Sequence, residues 1–99
     1  MVNILLVCTA GMSTSFLVEK MKTSANKNDI EVDIKAVPEA NAKDYVGSTD
    51  IVLLGPQVKY LEGSIKELFG SIPVEVINML DYGTMNGEKV LNFALEKVK

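Results

Sequence analysis

The chain contains one cysteine, Cys8, and its surroundings are the part of the sequence best suited to chemistry. Cys8 ends an apolar run at residues 4–7, and it is followed by a segment rich in small and hydroxyl-bearing residues. A thiol at the carboxyl end of a buried strand faces the free amide groups in the first turn of the next helix. Because those amides favour negative charge, they suit both a nucleophilic sulfur and a phosphate attached to it.

The segment after Cys8 has the composition of a phosphate-binding loop. It offers backbone amides, four hydroxyl groups, and a glycine that lets the backbone curve closely around an anion. Such a loop needs no cation to hold a phosphate. The predicted phosphate-binding residues are Thr9, Ala10, Gly11, Met12, Ser13, Thr14 and Ser15.

Two simpler interpretations of these residues stay open. A lone cysteine is often a small buried apolar residue, and Ser and Thr cap helices whatever the function of the protein. Helix capping is compatible with phosphate binding. The glycine and the hydroxyl groups beside Cys8 favour a nucleophile over an inert thiol.

Composition narrows the possible functions. The 99 residues, 47% of them apolar, predict one domain over residues 1–99 with a single core. The chain has no histidine, which excludes Ser-His and Cys-His catalysis and removes the commonest metal ligand, so we expect neither a metal nor a cofactor. A net charge of −3 with dispersed lysines argues against nucleic acid or anionic lipid as a partner.

Cysteine usage and hydropathy predict a compartment. One cysteine cannot form an internal disulfide, and the apolar amino terminus is shorter than the roughly 7–15 residues of a signal-peptide core. No other stretch approaches the roughly 20 apolar residues of a membrane span. We therefore expect a cytoplasmic protein.

Four strand-like segments alternate with four helix-like segments, the pattern of a parallel α/β sheet. The predicted strands cover residues 3–7, 30–36, 51–54 and 74–77. The first predicted helix begins near residue 13, and the other three cover residues 39–46, 58–69 and 87–98. The first strand has an apolar run at residues 4–7 and the third is apolar throughout, so both should be central, whereas the second alternates and the fourth contains Glu75. The periodicities place Ala36 and Leu68 on covered faces.

Central first and third strands predict the order 2-1-3-4, a three-layer, flavodoxin-like fold with right-handed crossovers. Ligands bind such sheets at the carboxyl ends of the strands where the winding reverses. Here that position lies between the first and third strands. The residues after Cys8 and the residues at 55–57 should form its walls.

Two further residues fall on the same predicted rim. Gln57 could donate its amide to the phosphate or to a partner protein, or it could simply be a polar residue that opens the third helix. The Tyr82 hydroxyl could approach the phosphate, although Tyr82 with Gly83 is also a plain turn pair.

Apolar residues near the predicted site could form a collar for docking proteins. The candidates are Met12, Phe16 and either Met79 or Leu80. The alternative is that Phe16 and Met79 belong to the core, and for Phe16 the core position is favoured.

The spacing from Cys8 to Ser15, C-x5-T-S, resembles the phosphate loop of tyrosine phosphatases, C-x5-R-[ST], and implies a fold similar to the low-molecular-weight enzymes. Thr14 stands where those enzymes have arginine, whose bidentate fork stabilises the transition state, and this chain has no arginine at all. The nearest candidates for a general acid, Asp50 and Asp81, have no tie to that role. A phosphatase-like enzyme is therefore disfavoured, and a thiol that holds phosphate against water is a carrier.

The chain also resembles, over nearly its full length, the IIB component of the phosphoenolpyruvate-dependent sugar phosphotransferase system, in the lactose/cellobiose (diacetylchitobiose) family. The resemblance rests on Cys-x-x-Gly-Met-Ser-Thr-Ser at residues 8–15, on Leu-Gly-Pro-Gln at 54–57, and on the short segments at 73–77, 82–83 and 86–87. It implies a phosphotransferase in which Cys8 takes a phosphoryl group from a phosphohistidine of the IIA component. Cys8 then passes the group to a β-linked disaccharide, of cellobiose, chitobiose or lactose type, bound by the membrane component IIC.

This resemblance implies IIA and IIC as partners, with contact to the membrane only through IIC, and it places sugar selection in IIC. The alternative is a regulatory module of the same fold whose cysteine is phosphorylated to report sugar supply; the lack of a linker or output segment leads us to expect the carrier instead. Thiol redox chemistry lacks the second cysteine of C-x-x-C, and a nucleotide-binding loop lacks Gly-Lys-[Ser/Thr].

Overall fold

The fold is a four-stranded parallel sheet with helices on both faces, and the computed structural model describes residues 1–8 and 14–98. The strands are β1 (Val2–Cys8), β2 (Val32–Pro38), β3 (Ile51–Leu54) and β4 (Val74–Val76). The α-helices are α1 (Thr14–Lys27), α2 (Glu62–Phe69), α3 (Met79–Gly83) and α4 (Gly87–Lys97). Two 3-10 segments, Glu39–Tyr45 and Pro56–Leu61, follow β2 and β3.

The strand order is β2-β1-β3-β4, as the sequence predicts. β1 and β3 are the inner strands, and β1 pairs with β2 from Val2 to Cys8 and with β3 from Ile4 to Val7. The third predicted strand, Ile51–Leu54, is confirmed to the residue. All of the pairings are parallel, so the carboxyl ends of the strands meet at one edge of the sheet.

The two faces of β1 contribute to two separate apolar clusters. Ile4 and Leu6 pack with residues from α1 and α4, whereas Leu5 and Val7 pack with residues from α2 and the two 3-10 segments. Every side chain from residue 4 to residue 8 is buried. Full burial of one such aliphatic side chain contributes about 1.5–3 kcal/mol, so the covered sheet holds β1 firmly in the middle of three layers.

Two predicted core positions are wrong. Ala36 is exposed, because a groove of about 320 Å³ between α1 and β2, bordered by Ser15 and Val18, leaves the end of β2 uncovered on that face; the next residue, Val37, is buried on the other face. Leu68 is half-exposed because Ile65 and Phe69 form the inward stripe of α2.

The helical segments differ from the sequence prediction in two places. The segment predicted as one helix over residues 58–69 is a 3-10 segment joined to α2, with non-helical backbone angles at Val58, and the predicted second helix is a 3-10 segment throughout. The sequence also gave no indication of α3. Its start is fixed by the Asn78 Oδ1, which accepts hydrogen bonds from the amides of Leu80 at 2.8 Å and Asp81 at 3.2 Å.

The first turn of α4 lies directly against the backbone of α1. A Cβ atom added at Gly87 would lie 2.5 Å from the carbonyl carbon of Lys20 and 2.6 Å from the amide nitrogen of Met21. The helix pair can approach this closely only because Gly87 has no side chain. In the part of the chain that the structure describes, no helix is long and apolar enough to cross a membrane.

We predict that Gly87→Ala lowers the free energy of unfolding by about 1–3 kcal/mol, because the new methyl group must push α4 away from α1. Urea denaturation followed by circular dichroism measures the change. The matched control is Gly63→Ala in α2, where an added Cβ meets nothing within 4 Å. There alanine should stabilise the protein by about 0.5–1 kcal/mol, so equal effects at the two positions would contradict the close packing.

Candidate functional site

Cys8 is the last residue of β1 and lies opposite Pro38 at the carboxyl edge of the sheet. Its side chain is 8% exposed, and the Sγ–H group donates a weak hydrogen bond to the Val37 carbonyl oxygen at 3.8 Å. The thiol therefore lies where the sequence predicts it, at the end of the central strand that has β2 on one side and β3 on the other.

The segment after β3 lies beside the end of β1. The Gly55 amide donates to the Val7 carbonyl oxygen at 3.2 Å, which extends the pairing of the two strands by one residue past Leu54. Pro56 then begins the second 3-10 segment, and the Gln57 side chain is exposed. The predicted second wall is thus in contact with β1, one residue before Cys8.

Two of the seven predicted phosphate-binding residues are described by the structure, and both lie in the first turn of α1. Thr14 is buried and Ser15 is exposed, and no acidic residue occurs in this turn. The other predicted residues lie outside the described part of the chain; they are Thr9, Ala10, Gly11, Met12 and Ser13.

Tyr82 lies within α3 and is not a turn residue. It is 4% exposed, and its hydroxyl oxygen is 3.0 Å from the Oγ1 of Thr14, so the two hydroxyl groups share a hydrogen bond. The structure thereby joins a residue predicted at the rim to a predicted phosphate-binding residue. These positions are 68 apart in sequence, and no local pattern could have paired them.

Large apolar side chains are exposed at both ends of this contact. Phe16, in the first turn of α1, is 67% exposed, so the favoured core position for Phe16 is wrong. The buried stripe of α1 instead contains Leu17 and Met21. On α3, Met79 and Leu80 are 71% and 70% exposed.

The two acidic residues considered as general acids lie in different places. Asp50 is near the amino end of the sheet, where its Oδ2 accepts hydrogen bonds from the Asn3 amide at 2.7 Å and from the Asn3 side chain at 3.3 Å. Asn3 and Cys8 are five positions apart on one strand, roughly 16 Å at 3.3 Å per residue. Asp81 lies on α3 and borders a cavity of about 250 Å³ with Phe93. Asp50 is therefore remote from the thiol.

The order β2-β1-β3-β4, with helices on both faces and a thiol at the point where the winding reverses, defines a flavodoxin-like α/β domain. A family model described as the lactose/cellobiose-specific IIB subunit of the PTS system matches residues 3–93. The chain belongs to this family of the sugar phosphotransferase system.

Three curated relatives are each 42% identical to the chain. The galactose-specific EIIB component of Lactococcus lactis subsp. cremoris and the cellobiose-specific EIIB component of L. lactis subsp. lactis match over 95 residues, which is 89% of this chain and 88% of each relative. The oligo-beta-mannoside-specific EIIB component of Bacillus subtilis matches over 97 residues, 96% of this chain and 94% of that relative.

Solved structures confirm the predicted family and fold. The solution structure of the cellobiose-specific IIB component from Borrelia burgdorferi is 44% identical, with a TM-score of 0.82 over 98% of this chain and 91% of that chain. The lactose-specific IIB domain from Streptococcus pneumoniae is 21% identical, with a TM-score of 0.85 over 99% of this chain and 98% of that chain, which is a likeness of fold alone.

We predict that Asp50→Ala lowers the free energy of unfolding by about 0.5–1.5 kcal/mol, because the Asn3 amide loses its acceptor, and leaves the reactivity of Cys8 unchanged. Thermal denaturation and the rate of alkylation by iodoacetamide measure the two effects. Asp44→Ala is the matched control, since Asp44 is also exposed and its carboxylate has no hydrogen bond to a described residue. A changed alkylation rate in Asp50→Ala alone would contradict the assignment of Asp50 to the opposite end of the sheet.

Proposed function

We propose that this protein is a phosphoryl carrier whose Cys8 accepts a phosphoryl group from a phosphohistidine of a IIA component and passes it to a sugar bound by a membrane IIC component. The observation that carries the proposal is the position of Cys8, the sole cysteine, at the carboxyl end of the central strand directly before residues 9–13 and α1. Membership of the IIB family supports the same role. We place the protein in the cytoplasm, associated with the membrane only through IIC.

Each transfer is an in-line displacement at phosphorus. In the first, the Cys8 sulfur forms a bond to phosphorus while the bond to the donor's imidazole nitrogen breaks, and the thiol proton passes to the leaving imidazole. In the second, a sugar hydroxyl oxygen attacks, the P–S bond breaks, the thiolate leaves, and the hydroxyl proton is released. The chain has no histidine, so the phosphohistidine of the first step must belong to another protein.

The residues around Cys8 suit binding of the phosphoryl group better than its hydrolysis. The amino end of α1 favours an anion by about 0.3–1 kcal/mol, and no acidic side chain in its first turn opposes this. We assign phosphate binding to Thr14 and Ser15 together with residues 9–13. Without an arginine the site lacks the bidentate donor that stabilises the transition state of phosphoryl transfer to water.

We assign docking of IIA and IIC to the exposed apolar residues of α1 and α3, namely Phe16, Met79 and Leu80. Exposed apolar side chains grouped near a site are typical of protein-binding surfaces, and methionine adapts to differently shaped partners. Gln57, exposed on the second wall, is a further candidate for contact with a partner.

The substrate class we propose is a β-linked disaccharide of the cellobiose, chitobiose or lactose type. The relatives are named for galactose, cellobiose and oligo-beta-mannoside at the same 42% identity, so overall similarity does not separate these sugars. This supports selection of the sugar by IIC, with Cys8 as a common donor.

The first test is phosphorylation of Cys8→Ser, which we expect to fold normally and to carry no phosphoryl group. The wild-type protein and the variant are incubated with phosphoenolpyruvate, the general phosphotransferase proteins and the IIA components of the three relatives' systems. Intact-mass spectrometry and peptide mapping locate any adduct. Asp50→Ala is the control that should be phosphorylated like the wild type.

Membranes containing IIC and the candidate sugars then separate a carrier from a regulatory module. Loss of the phosphoryl group from Cys8, with appearance of sugar phosphate, is the result expected of a carrier. Phosphorylation of Cys8 that no sugar and IIC discharge would favour the regulatory module, and an adduct on Cys8→Ser would overturn Cys8 as the nucleophile.

A second prediction concerns the apolar docking surface. Leu80→Ala should raise the IIA concentration needed for half-maximal phosphorylation roughly three- to tenfold, because the exposed side chain would lose apolar area buried against IIA. Val46→Ala, which truncates an exposed apolar residue that follows the first 3-10 segment, should leave it unchanged. Equal values for the two variants would remove Leu80 from the docking surface.

A further inference from the structure

The hydrogen bond between the side chains of Thr14 and Tyr82 is buried, and the packing of the fold does not require it. The two side chains are 3% and 4% exposed. Among the described residues this is the only buried hydrogen bond between two side chains, since the Asn3–Asp50 and Lys35–Asp33 bonds are exposed. A buried hydroxyl group needs a partner, and each of these two serves the other.

The ring of Tyr82 is sufficient for its part in the core. It packs in the cluster that includes Ile77, Leu91 and the inward residues of α1. A phenylalanine ring has the same shape and would fill the same space. The contribution that distinguishes tyrosine at this position is therefore made through its hydroxyl group at Thr14.

The protons of the two hydroxyl groups have two arrangements, because either oxygen can be the donor. An anion beside Thr14 favours one of them, in which Tyr82 donates to Thr14 and Thr14 donates to the anion. Both protons then point toward the negative charge, and consecutive hydrogen bonds aligned in this way strengthen one another.

We propose that Tyr82 is a positioning residue for phosphoryl transfer, which holds the Thr14 hydroxyl so that it donates to a phosphoryl oxygen on Cys8. This inference rests on the proposed phosphocysteine function. Thr14 is the first residue of α1, six positions after Cys8, and no acidic residue in its turn competes for its proton. The Thr14–Tyr82 pair supplies a neutral hydrogen-bond donor where a phosphatase has a charged arginine. A neutral donor can hold the phosphoryl group, but it stabilises the transfer of that group to water less than arginine does.

The test measures the equilibrium constant for phosphoryl exchange between IIA and Cys8 in Tyr82→Phe. Phosphorylated IIA from the systems of the three relatives serves as the donor, and the ³¹P chemical shift of the phosphocysteine gives a second readout at the phosphoryl group. We expect Tyr82→Phe to lower the exchange constant roughly three- to tenfold, the effect of one hydrogen bond, and to move the ³¹P resonance. Tyr45→Phe, whose hydroxyl has no hydrogen bond to a described residue, should change neither.

A double-mutant cycle separates positioning from packing. Thr14→Val keeps the branched shape and removes the hydroxyl, so it should lower the exchange constant at least as much as Tyr82→Phe. In the Thr14→Val background, Tyr82→Phe should have no further effect, because it acts only through Thr14.

The positioning role of Tyr82 is overturned if Tyr82→Phe lowers the melting temperature while the exchange constant and the ³¹P shift stay at their wild-type values. It is also overturned if Tyr82→Phe has its full effect without the Thr14 hydroxyl. If none of the three IIA components phosphorylates the wild-type protein on Cys8, the proposed function is overturned, and the positioning role of Tyr82 falls with it.

Discussion

The pairing of β1 with a strand on each side is the constraint on which the rest of the molecule depends. β1 is hydrogen-bonded to β2 and β3 and covered by apolar layers on both faces, so its last residue, Cys8, cannot move independently of the sheet. A slip of one residue would exchange its two buried faces and turn the thiol to the opposite side. The Gly55 amide on the Val7 carbonyl fixes the second wall to the same strand. The geometry of the site is thus set by the most deeply buried part of the protein.

The sheet was predictable because its information is local. A strand with an unbroken apolar run, such as residues 4–7 or 51–54, is central in a parallel sheet, and a strand with a charged residue lies at an edge, which is sufficient for the order β2-β1-β3-β4. The errors occurred where a local pattern meets tertiary packing. Ala36 fits the alternation of its strand and is exposed only because α1 leaves a groove there. α3 has five residues and begins at the Asn78 cap, too short for any periodicity to indicate a helix.

The candidate site was also predictable only where its information is local. The position of Cys8 follows from a strand end and a run of hydroxyl-bearing residues, which are adjacent in sequence. The contact between Thr14 and Tyr82 depends instead on how α3 returns to the start of α1, and only the folded chain brings those elements together. Likewise the sequence favoured a core position for Phe16, and its exposed position follows from which face of α1 meets the sheet.

α3 has two faces with different surroundings. Met79 and Leu80 point outward, and Tyr82 points inward to Thr14. Five residues do not form a stable helix alone, so α3 depends on its cap and on its neighbours for its position. A partner bound to the outer face and a phosphoryl group bound near Thr14 would therefore both act on the position of the same short element. Thermodynamic linkage then requires reciprocity: whatever factor phosphorylation adds to or removes from partner affinity, the partner imposes on the affinity for the phosphoryl group.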